Sequence, residues 1–258
     1  SPDELDLGRG QPSLNRGNAN AQRRADARCP HETLMQTNPT SATKPEASTD
    51  EATDPSEAAE AARPTFDALP LSPEVRSALA EMGYEHPTPV QLAVWEPVTR
   101  GRDAVVQART GTGKTASFGL PIVDHIVRRS EKAVQALVLC PTRELALQVA
   151  NEIGKIASKK DTKILPIYGG AGMEKQVQGI EDGAQVVVGT PGRVLDHLRR
   201  GTMKANHIRL LVLDEADEML SMGFERELSA ILEHLPPTRQ TILFSATVPP
   251  DIERISKS

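Results

Sequence analysis

Short apolar runs recur along the chain from Phe66 onward, and helix-like stretches separate them. The runs are rich in β-branched residues and continuously apolar, which is typical of strands buried on both faces of a sheet. The pattern predicts strands at 103–107, 134–140, 162–168, 184–190, 208–215 and 239–247, with helices at 142–157 and 193–200. Alternating strands and helices indicate an α/β fold in which helices cover both faces of a parallel sheet.

The first part of the chain has a different composition. Residues 1–63 contain no Phe, Trp or Tyr and are rich in Ala, Ser, Thr, Pro, Asn, Asp and Glu. Such a segment cannot bury enough apolar surface to offset the entropy lost on ordering. We therefore expect a disordered, low-complexity tail over 1–63 and one folded α/β domain over 64–258.

Charge and cysteine content narrow the class of protein. The formal net charge of −5 excludes a bulk polycation, so any nucleic-acid surface has to be a local basic patch. Cys29 and Cys140 are far apart and lack a partner pattern, which argues against a disulfide framework or zinc site. We expect Cys140 to be buried and the protein to be cytoplasmic. No apolar run approaches the roughly 18 residues of a membrane span, so no membrane partner is expected.

The sequence ARTGTGKT follows the first predicted strand and opens a helix. It nearly fits the phosphate-binding loop pattern, with Ala108 where the first glycine is usual. Gly111 and Gly113 permit tight turns that aim backbone N–H groups at phosphates, Lys114 adds a positive charge, and Thr115 offers a hydroxyl to Mg²⁺. A simple glycine-rich turn is disfavoured, because the strand before and the helix after are both present. The residues predicted to bind the nucleotide here are Ala108, Thr110, Gly111, Thr112, Gly113, Lys114 and Thr115.

The sequence LLVLDEAD places acidic residues directly after an apolar strand. Asp214 ends the run, and ligands of open α/β sheets bind outside the carboxyl ends of strands. In phosphate-loop enzymes an Asp at this place holds Mg²⁺, here expected through water, and Glu215 is placed to orient or deprotonate an attacking water. The alternative is a strand that runs into an acidic helix terminus. The phosphate loop earlier in the chain favours the first interpretation, with ATP and Mg²⁺ as cofactors and Lys114, Asp214 and Glu215 as catalytic groups.

The motifs together resemble those of the first RecA-like domain of DEAD-box RNA helicases. They occur in the family's order: GYEHPTPVQ (83–91), ARTGTGKT (108–115), PTREL (141–145), GG (169–170), TPGR (190–193), DEAD (214–217) and SAT (245–247). The resemblance covers the chain from about 66 to 258 and implies a RecA-like parallel sheet. Arg109, Tyr84 and Val90 differ from the family's commonest residues, but none of these changes removes a catalytic group.

The resemblance also implies roles around the nucleotide. The amide of Gln91 would pair with adenine and favour ATP over GTP. Phe66 would stack on the adenine or anchor the first helices, and the resemblance favours stacking. The hydroxyls of Ser245 and Thr247 would bind Asp217 and couple the ATP site to the rest of the sheet. Considered without the family, SAT at a strand end is more typical of a helix cap.

Three further motifs imply contact with the RNA sugar-phosphate backbone. PTREL and TPGR follow strands and begin helices, so their N–H groups, hydroxyls and arginines suit phosphates without reading sequence. The expected contacts are Pro141, Thr142, Arg143, Gly169, Gly170, Thr190, Pro191, Gly192 and Arg193. Without the resemblance, Arg143 and Arg193 would be interpreted as surface cations near acidic neighbours. Trp95 is predicted to be a core residue, and the six histidines, which lack ligand spacing, are predicted to be surface or half-buried.

The resemblance implies an ATP-dependent RNA helicase that couples ATP hydrolysis to local duplex unwinding. The chain ends soon after Thr247, so we expect the second RecA-like domain, with its arginine finger, to be missing and this chain alone to be largely inactive. The alternative is a nucleotide-responsive RNA- or protein-binding module without useful ATPase activity. A DNA helicase is a less favoured third reading, because only contacts to the 2′-OH distinguish RNA from DNA. The sequence indicates no particular protein partner.

Overall fold

The computed structural model describes residues 35–36, 63–108 and 111–247, all of which belong to one compact unit, Glu32–Ser258. The tail expected at 1–63 lies almost entirely outside the described residues and stays a prediction. Arg109, Thr110, Cys29, His31 and the segment after Thr247 also lie outside them. Within the described part, no helix is long and apolar enough to cross a membrane.

The described strands form one sheet in which every neighbouring pair is parallel. The strands are β1 (Met35–Gln36), β2 (Ala104–Gln107), β3 (Ala136–Leu139), β4 (Ile164–Ile167), β5 (Val186–Gly189), β6 (Leu210–Leu213) and β7 (Gln240–Ser245). Their order across the sheet is β1-β2-β7-β6-β3-β5-β4. The six predicted strands are confirmed as β2 to β7. Because all strands run the same way, their carboxyl ends share one edge of the sheet.

Burial follows position in the sheet. Every residue of β3, β5, β6 and β7 is buried, as continuous apolar runs predict for strands covered on both faces. The same prediction is wrong for β2 and β4, which are only partly buried. Among the described strands, β4 lies at one edge of the sheet and only the two-residue β1 lies beyond β2, so β2 and β4 lack full cover from neighbouring elements.

Helices cover both faces. They are α1 (Pro73–Glu81), α2 (Pro89–Thr99), α3 (Lys114–Pro121), α4 (Arg143–Ile156), α5 (Met173–Glu181), α6 (Pro191–Arg199), α7 (Ala216–Ser221) and α8 (Glu225–His234); a 3₁₀ turn at Phe66–Ala68 precedes α1, and a π turn at Ile122–Ile126 follows α3. The helices predicted at 142–157 and 193–200 are confirmed as α4 and α6.

The core has two layers because successive strand side chains alternate between the faces of the sheet. On one face, Val138 and Val212 pack with residues of α1 to α4. On the other, Leu137 and Leu211 pack with residues of α6 to α8. The rings of Phe118 in α3 and Phe244 in β7 lie 5.2 Å apart, a typical aromatic contact. It fixes α3 against the middle of the sheet.

Candidate functional site

Strand order sorts the motifs into two groups along the carboxyl edge. β2, β7 and β6 are neighbours, and the segments that follow them contain the phosphate loop, Ser245–Thr247 and Asp214–Asp217. β3, β5 and β4 form the other half, and the segments after them contain Thr142–Arg143, Thr190–Arg193 and Gly169–Gly170. Motifs that interleave in the sequence are therefore separated in space into a nucleotide half and a nucleic-acid half.

The phosphate loop requires glycine at two positions. Gly111 and Gly113 have φ angles of +81° and +83°, a backbone conformation that other residues rarely adopt. A Cβ atom at Gly113 would lie 2.7 Å from Nε2 of Gln91, so no side chain fits there. Gly113 is the N-cap of α3 and Lys114 its first residue. The positive end of the α3 dipole therefore lies in the loop, where it favours an anion.

Lys114 lies beside both acidic candidates. Its Nζ is 3.7 Å from Oδ1 of Asp214 and 3.9 Å from Oε1 of Glu215, both longer than a direct hydrogen bond. Lys114 is 7% exposed and Asp214 only 2%. Burial raises the pKa of Asp214 to about 6, Lys114 partly opposes this rise, and Glu215 adds to it. The three groups form a buried charge cluster that is incompletely hydrogen-bonded.

The residues present fit a magnesium ion. Oδ1 of Asp214 is buried without a hydrogen-bond partner, an unusual state for a carboxylate. Thr115, the second residue of α3, is half-buried. Among the described residues no group of three or more His, Cys, Asp or Glu side chains could hold a metal. Magnesium is commonly bound by one or two carboxylates together with nucleotide phosphates and waters, so one Asp and one hydroxyl suffice here.

Glu215 has an unexpected backbone conformation. Its φ and ψ are both 53°, and no other non-glycine residue within the described ranges has a positive φ. This left-handed conformation costs roughly 1–2 kcal/mol and persists at sites that need a particular side-chain direction. It lies at the N-cap of α7, directly between the buried Asp214 and the helix. Nothing in the residue type signals it, so sequence reasoning missed this feature.

Asp217 is joined to the segment after β7. Burial raises its pKa, but the nearby hydroxyls of Ser245 and Thr247 and the Thr247 N–H outweigh this and lower it. Thr247 hydrogen-bonds Oδ2 of Asp217 directly, whereas the buried Ser245 hydroxyl makes no hydrogen bond of standard geometry. The same segment reaches the phosphate loop, because the N–H of Ala108 donates to Ser245 O at 3.1 Å. One segment therefore contacts both the acids and the loop.

The two residues expected at the adenine are both buried. Gln91 is 3% exposed; its Nε2 donates to Gly113 O at 3.2 Å, and its Oε1 accepts from the Thr88 N–H at 2.9 Å. The amide keeps one donor and one acceptor site. Phe66 is 7% exposed and packs in the core. It offers little free ring surface, so its position fits the anchoring alternative better than the favoured stacking role.

The expected nucleic-acid residues differ in exposure. Arg143 and the glycines 169, 170 and 192 are exposed, whereas Thr142, Thr190 and Arg193 are half-buried and Pro141 and Pro191 are buried. The Thr142 hydroxyl accepts from the Leu145 N–H at 3.2 Å and so caps α4. An open cavity of about 440 Å³ lies here, lined in part by Gly169, Thr190, Gly192 and Arg193. The structure thus brings Gly169 and the TPGR segment to one accessible cavity.

The two arginines are not simple surface cations. Arg143 lies over the ring of Tyr168, 4.8 Å from its centre, a cation–π contact. Arg193 donates to Ala171 O at 3.0 Å and to Oε1 of Gln176 at 3.2 Å. Neither contact is with an acid, so the described geometry differs from the surface-cation alternative.

The remaining expectations have mixed outcomes. Cys140 is fully buried, and Trp95 packs partly buried against the core, as predicted. His197 contradicts the prediction for the histidines, because it is fully buried. It is buried on α6 by contacts with Thr202 and Gln176, which the spacing of histidines in the sequence does not reveal.

The sequence matches a known protein family over more than half of its length. Residues 88–255 match the family model for the DEAD/DEAH box helicase. The chain is 51% identical over 193 residues to the DEAD-box ATP-dependent RNA helicase CshA of Geobacillus kaustophilus, covering 75% of this chain and 41% of the relative. It is 46% identical over 192 residues to the ATP-dependent RNA helicase CshA of Listeria monocytogenes, covering 74% and 37%.

A solved structure shows the same fold. The crystal structure of a DEAD box protein from the hyperthermophile Methanococcus jannaschii matches with a TM-score of 0.71 and 41% identity, covering 75% of this chain and 53% of that one. The RecA-like parallel sheet with helices on both faces is thereby confirmed. The chain spans only about two fifths of the length of the curated relatives it matches.

Proposed function

Because the chain belongs to the DEAD/DEAH box helicase family, we propose that it is the first RecA-like domain of a cytoplasmic ATP-dependent RNA helicase. The observation that carries the proposal is the buried Oδ1 of Asp214, which has no hydrogen-bond partner and lies 3.7 Å from Lys114. A buried acid in this state next to a glycine loop at a helix N-terminus suits a phosphate-bound cation.

The nucleotide would lie along the loop between β2 and α3. The N–H groups around Gly111, Thr112 and Gly113 would surround the β- and γ-phosphates together with Lys114, and Ala108 and Thr110 would complete the loop. The remaining donor and acceptor of Gln91 would pair with the adenine edge and select ATP over GTP. Thr115 and Asp214, the latter through water, would hold Mg²⁺, which neutralises the charge that develops on the phosphates.

Hydrolysis would depend on Glu215. Its carboxylate is half-buried beside Lys114, and the left-handed backbone sets the direction in which the side chain leaves the main chain. In the proposed step it accepts a proton from a water whose oxygen attacks the γ-phosphorus, while the bond to ADP breaks. Lys114 stabilises the charge on the transferred group, and Asp217, through Thr247, links this event to β7.

RNA would bind across the other half of the carboxyl edge. The exposed glycines 169, 170 and 192 and the helix starts at Thr142 and Thr190 offer N–H groups and hydroxyls to the sugar-phosphate backbone, so little sequence preference is expected. A second RecA-like domain of the parent protein would close over both halves and supply an arginine finger, worth about 10³–10⁵ in rate. This chain alone is therefore expected to turn over ATP very slowly.

The proposal is tested by strand separation with the product of the whole reading frame. A short fluorescent RNA duplex should separate with ATP and Mg²⁺, but neither with GTP nor in a chain that stops at Ser258. A matched DNA duplex measures the preference for RNA. If ATP binds but no duplex of either kind separates, the alternative of a nucleotide-responsive binding module is favoured and the helicase proposal fails.

A further inference from the structure

The side chain of Gln176 joins two of the segments expected to contact RNA. It lies on α5 and is only 5% exposed. Its Nε2 donates to Tyr168 O at 3.1 Å, directly before Gly169–Gly170. Its Oε1 accepts from Nη1 of Arg193 and faces Nε2 of His197, both at 3.2 Å. One buried amide therefore connects the segment after β4 with the first turns of α6.

The hydrogen bonds of Gln176 place a proton on Nε2 of His197. Because Gln176 donates to a carbonyl through Nε2, its Oε1 is the acceptor and the facing Nε2 of His197 must donate. Nδ1 of His197 lies 2.9 Å from the Thr202 hydroxyl, which donates its one hydrogen to His197 O at 3.1 Å. Burial, with a smaller contribution from Arg193, lowers the pKa of His197, consistent with a neutral ring. The geometry therefore gives a directed chain from His197 through Gln176 to Tyr168.

Arginine contacts extend the connection to all three segments. Arg193 also donates to Ala171 O at 3.0 Å, directly after the paired glycines. Arg143, the first residue of α4, lies over the Tyr168 ring. The segments after β3, β4 and β5 are thereby held by one continuous set of contacts. We call Gln176, His197, Arg193 and Tyr168 the bracing network.

A buried polar side chain destabilises the fold if any of its polar groups is left without a hydrogen bond, whereas an apolar side chain of similar size avoids that cost. The presence of a buried polar network therefore suggests a role other than stability. The bracing network lies beneath a surface that is exposed at Gly169, Gly170 and Gly192. Backbone N–H donors bind phosphates only within narrow limits of distance and angle. Fixing the distance between the two loops therefore matters for a ligand that touches both.

We propose that Gln176 and His197 are positioning residues for nucleic-acid binding, which set the spacing of Gly169–Gly170 relative to Thr190–Gly192 without touching the RNA. The inference rests on the proposed function, since it assumes that these loops contact an RNA backbone. It goes beyond that function because it assigns a role to two buried residues that lie under the surface.

The first test compares two glutamines of the same helix. Gln176→Met removes the buried amide at nearly constant size, and Gln178→Met changes an exposed amide whose bond is to Asp182. Binding of a labelled single-stranded RNA to the whole chain is measured by fluorescence anisotropy at one fixed, low salt concentration. We expect Gln176→Met to weaken RNA binding about tenfold, Gln178→Met to change it less than about twofold, and neither to alter ATP affinity.

The second test asks whether a substitution at His197 that keeps an N–H donor also keeps RNA binding. Gln can place an N–H near the position of Nε2, whereas Leu cannot, so His197→Gln should bind RNA more tightly than His197→Leu. Thermal unfolding of each variant is measured alongside. A merely structural role predicts that RNA affinity follows the fraction folded, whereas the proposal predicts weak RNA binding by His197→Leu in conditions where it is folded and binds ATP normally.

The outcomes separate the inference from the function it rests on. If the unchanged chain binds no RNA at low salt, the proposed function fails and the inference fails with it. If the chain binds RNA and both Gln176→Met and His197→Leu bind equally well, the inference alone is overturned. If Gln176→Met does not fold, the comparison of His197→Leu with His197→Gln decides.

Discussion

Thr247 donates two hydrogen bonds to one carboxylate oxygen of Asp217: its N–H and its Oγ1 both lie 3.0 Å from Oδ2. Asp217 is in the first turn of α7, after β6, whereas Thr247 follows β7. The segment after β7 also bonds to the end of β2, directly before the phosphate loop, because Gln107 Nε2 donates to Ala246 O at 3.1 Å. Short, direct contacts therefore connect Asp217 with the strand that leads into the phosphate loop.

Thr247→Val tests this connection. The substitution removes the hydroxyl bond but leaves the N–H bond, so the fold and ATP affinity should change little. In the product of the whole reading frame, stimulation of ATP hydrolysis by RNA should fall by about fivefold or more, since hydrogen bonds to charged groups contribute about 1.5–3 kcal/mol. Thr241→Val, near the end of β7 that lies away from the acids, is the control. Equal stimulation in Thr247→Val and the unchanged protein would refute a coupling role.

Asp214→Asn should stabilise the chain when no nucleotide is bound. The folded state raises the pKa of this carboxyl from 3.8 to about 6, so keeping it ionised at pH 7.5 opposes folding. A neutral amide removes that penalty, worth at most about 3 kcal/mol, and the free energy of unfolding in urea should rise. ATP binding in the presence of Mg²⁺ should weaken at the same time. A less stable variant would show that Asp214 is a structural acid.

His197 makes the stability of the chain depend on pH. Its pKa in the folded state is below the ordinary 6.5. Burial is the largest cause, the charges of Arg193 and Arg200 lower the pKa further, and Asp196 raises it by less than these effects together. At acidic pH the unfolded state therefore binds more protons at this residue than the folded state does. The stability that the neutral His197 contributes is complete above pH 6.5 and is lost as pH falls through the folded pKa. Because Asp214 titrates alike in both proteins, we expect the unfolding free energy of the unchanged chain to fall relative to that of His197→Gln as pH drops below 6.5. Identical pH profiles for the two proteins would contradict this origin.

Gln91→Met should reduce the preference for ATP over GTP. A bidentate amide contact with adenine is worth about 1–3 kcal/mol of discrimination, so the preference should fall about tenfold. Some loss of thermal stability is expected as well, because Gln91 also bonds Gly113 O and the Thr88 N–H. Competition of the two nucleotides against a fluorescent analogue measures the ratio. An unchanged ratio with normal folding would show that Gln91 only supports the loop.

The main elements were predictable because their causes are local. Buried parallel strands produce continuous apolar runs, and the six predicted runs contain β2 to β7. The burial of β2 and β4 was overestimated, because sequence does not reveal which strands lie near an edge. The motifs were predicted near strand ends, which places them along the carboxyl edge. Their grouping into two halves of that edge depends on the order of the strands, which is a property of the whole sheet.

Features that depend on contacts between distant residues were not predictable. The left-handed backbone of Glu215 arises from its place between β6 and α7 and has no sequence signal. His197 was expected at or near the surface because histidine is often exposed, yet Gln176 and Thr202 provide the partners that allow its burial. Phe66 was favoured as a stacking residue, but core packing leaves it 7% exposed. For His197 one of these partners, Gln176, lies 21 residues away in the sequence.

The central claim is that the carboxyl edge forms an ATP-hydrolysing site in which Glu215 activates water and RNA drives turnover. The most direct measurement is steady-state phosphate release by the product of the whole reading frame, with and without single-stranded RNA. Glu215→Gln is compared with Glu218→Gln, an exposed acid on α7. We predict RNA-stimulated release in the unchanged protein and Glu218→Gln, a loss of at least about 10²-fold in Glu215→Gln, and retained ATP binding in all three. Equal release by Glu215→Gln and the unchanged protein would contradict the account.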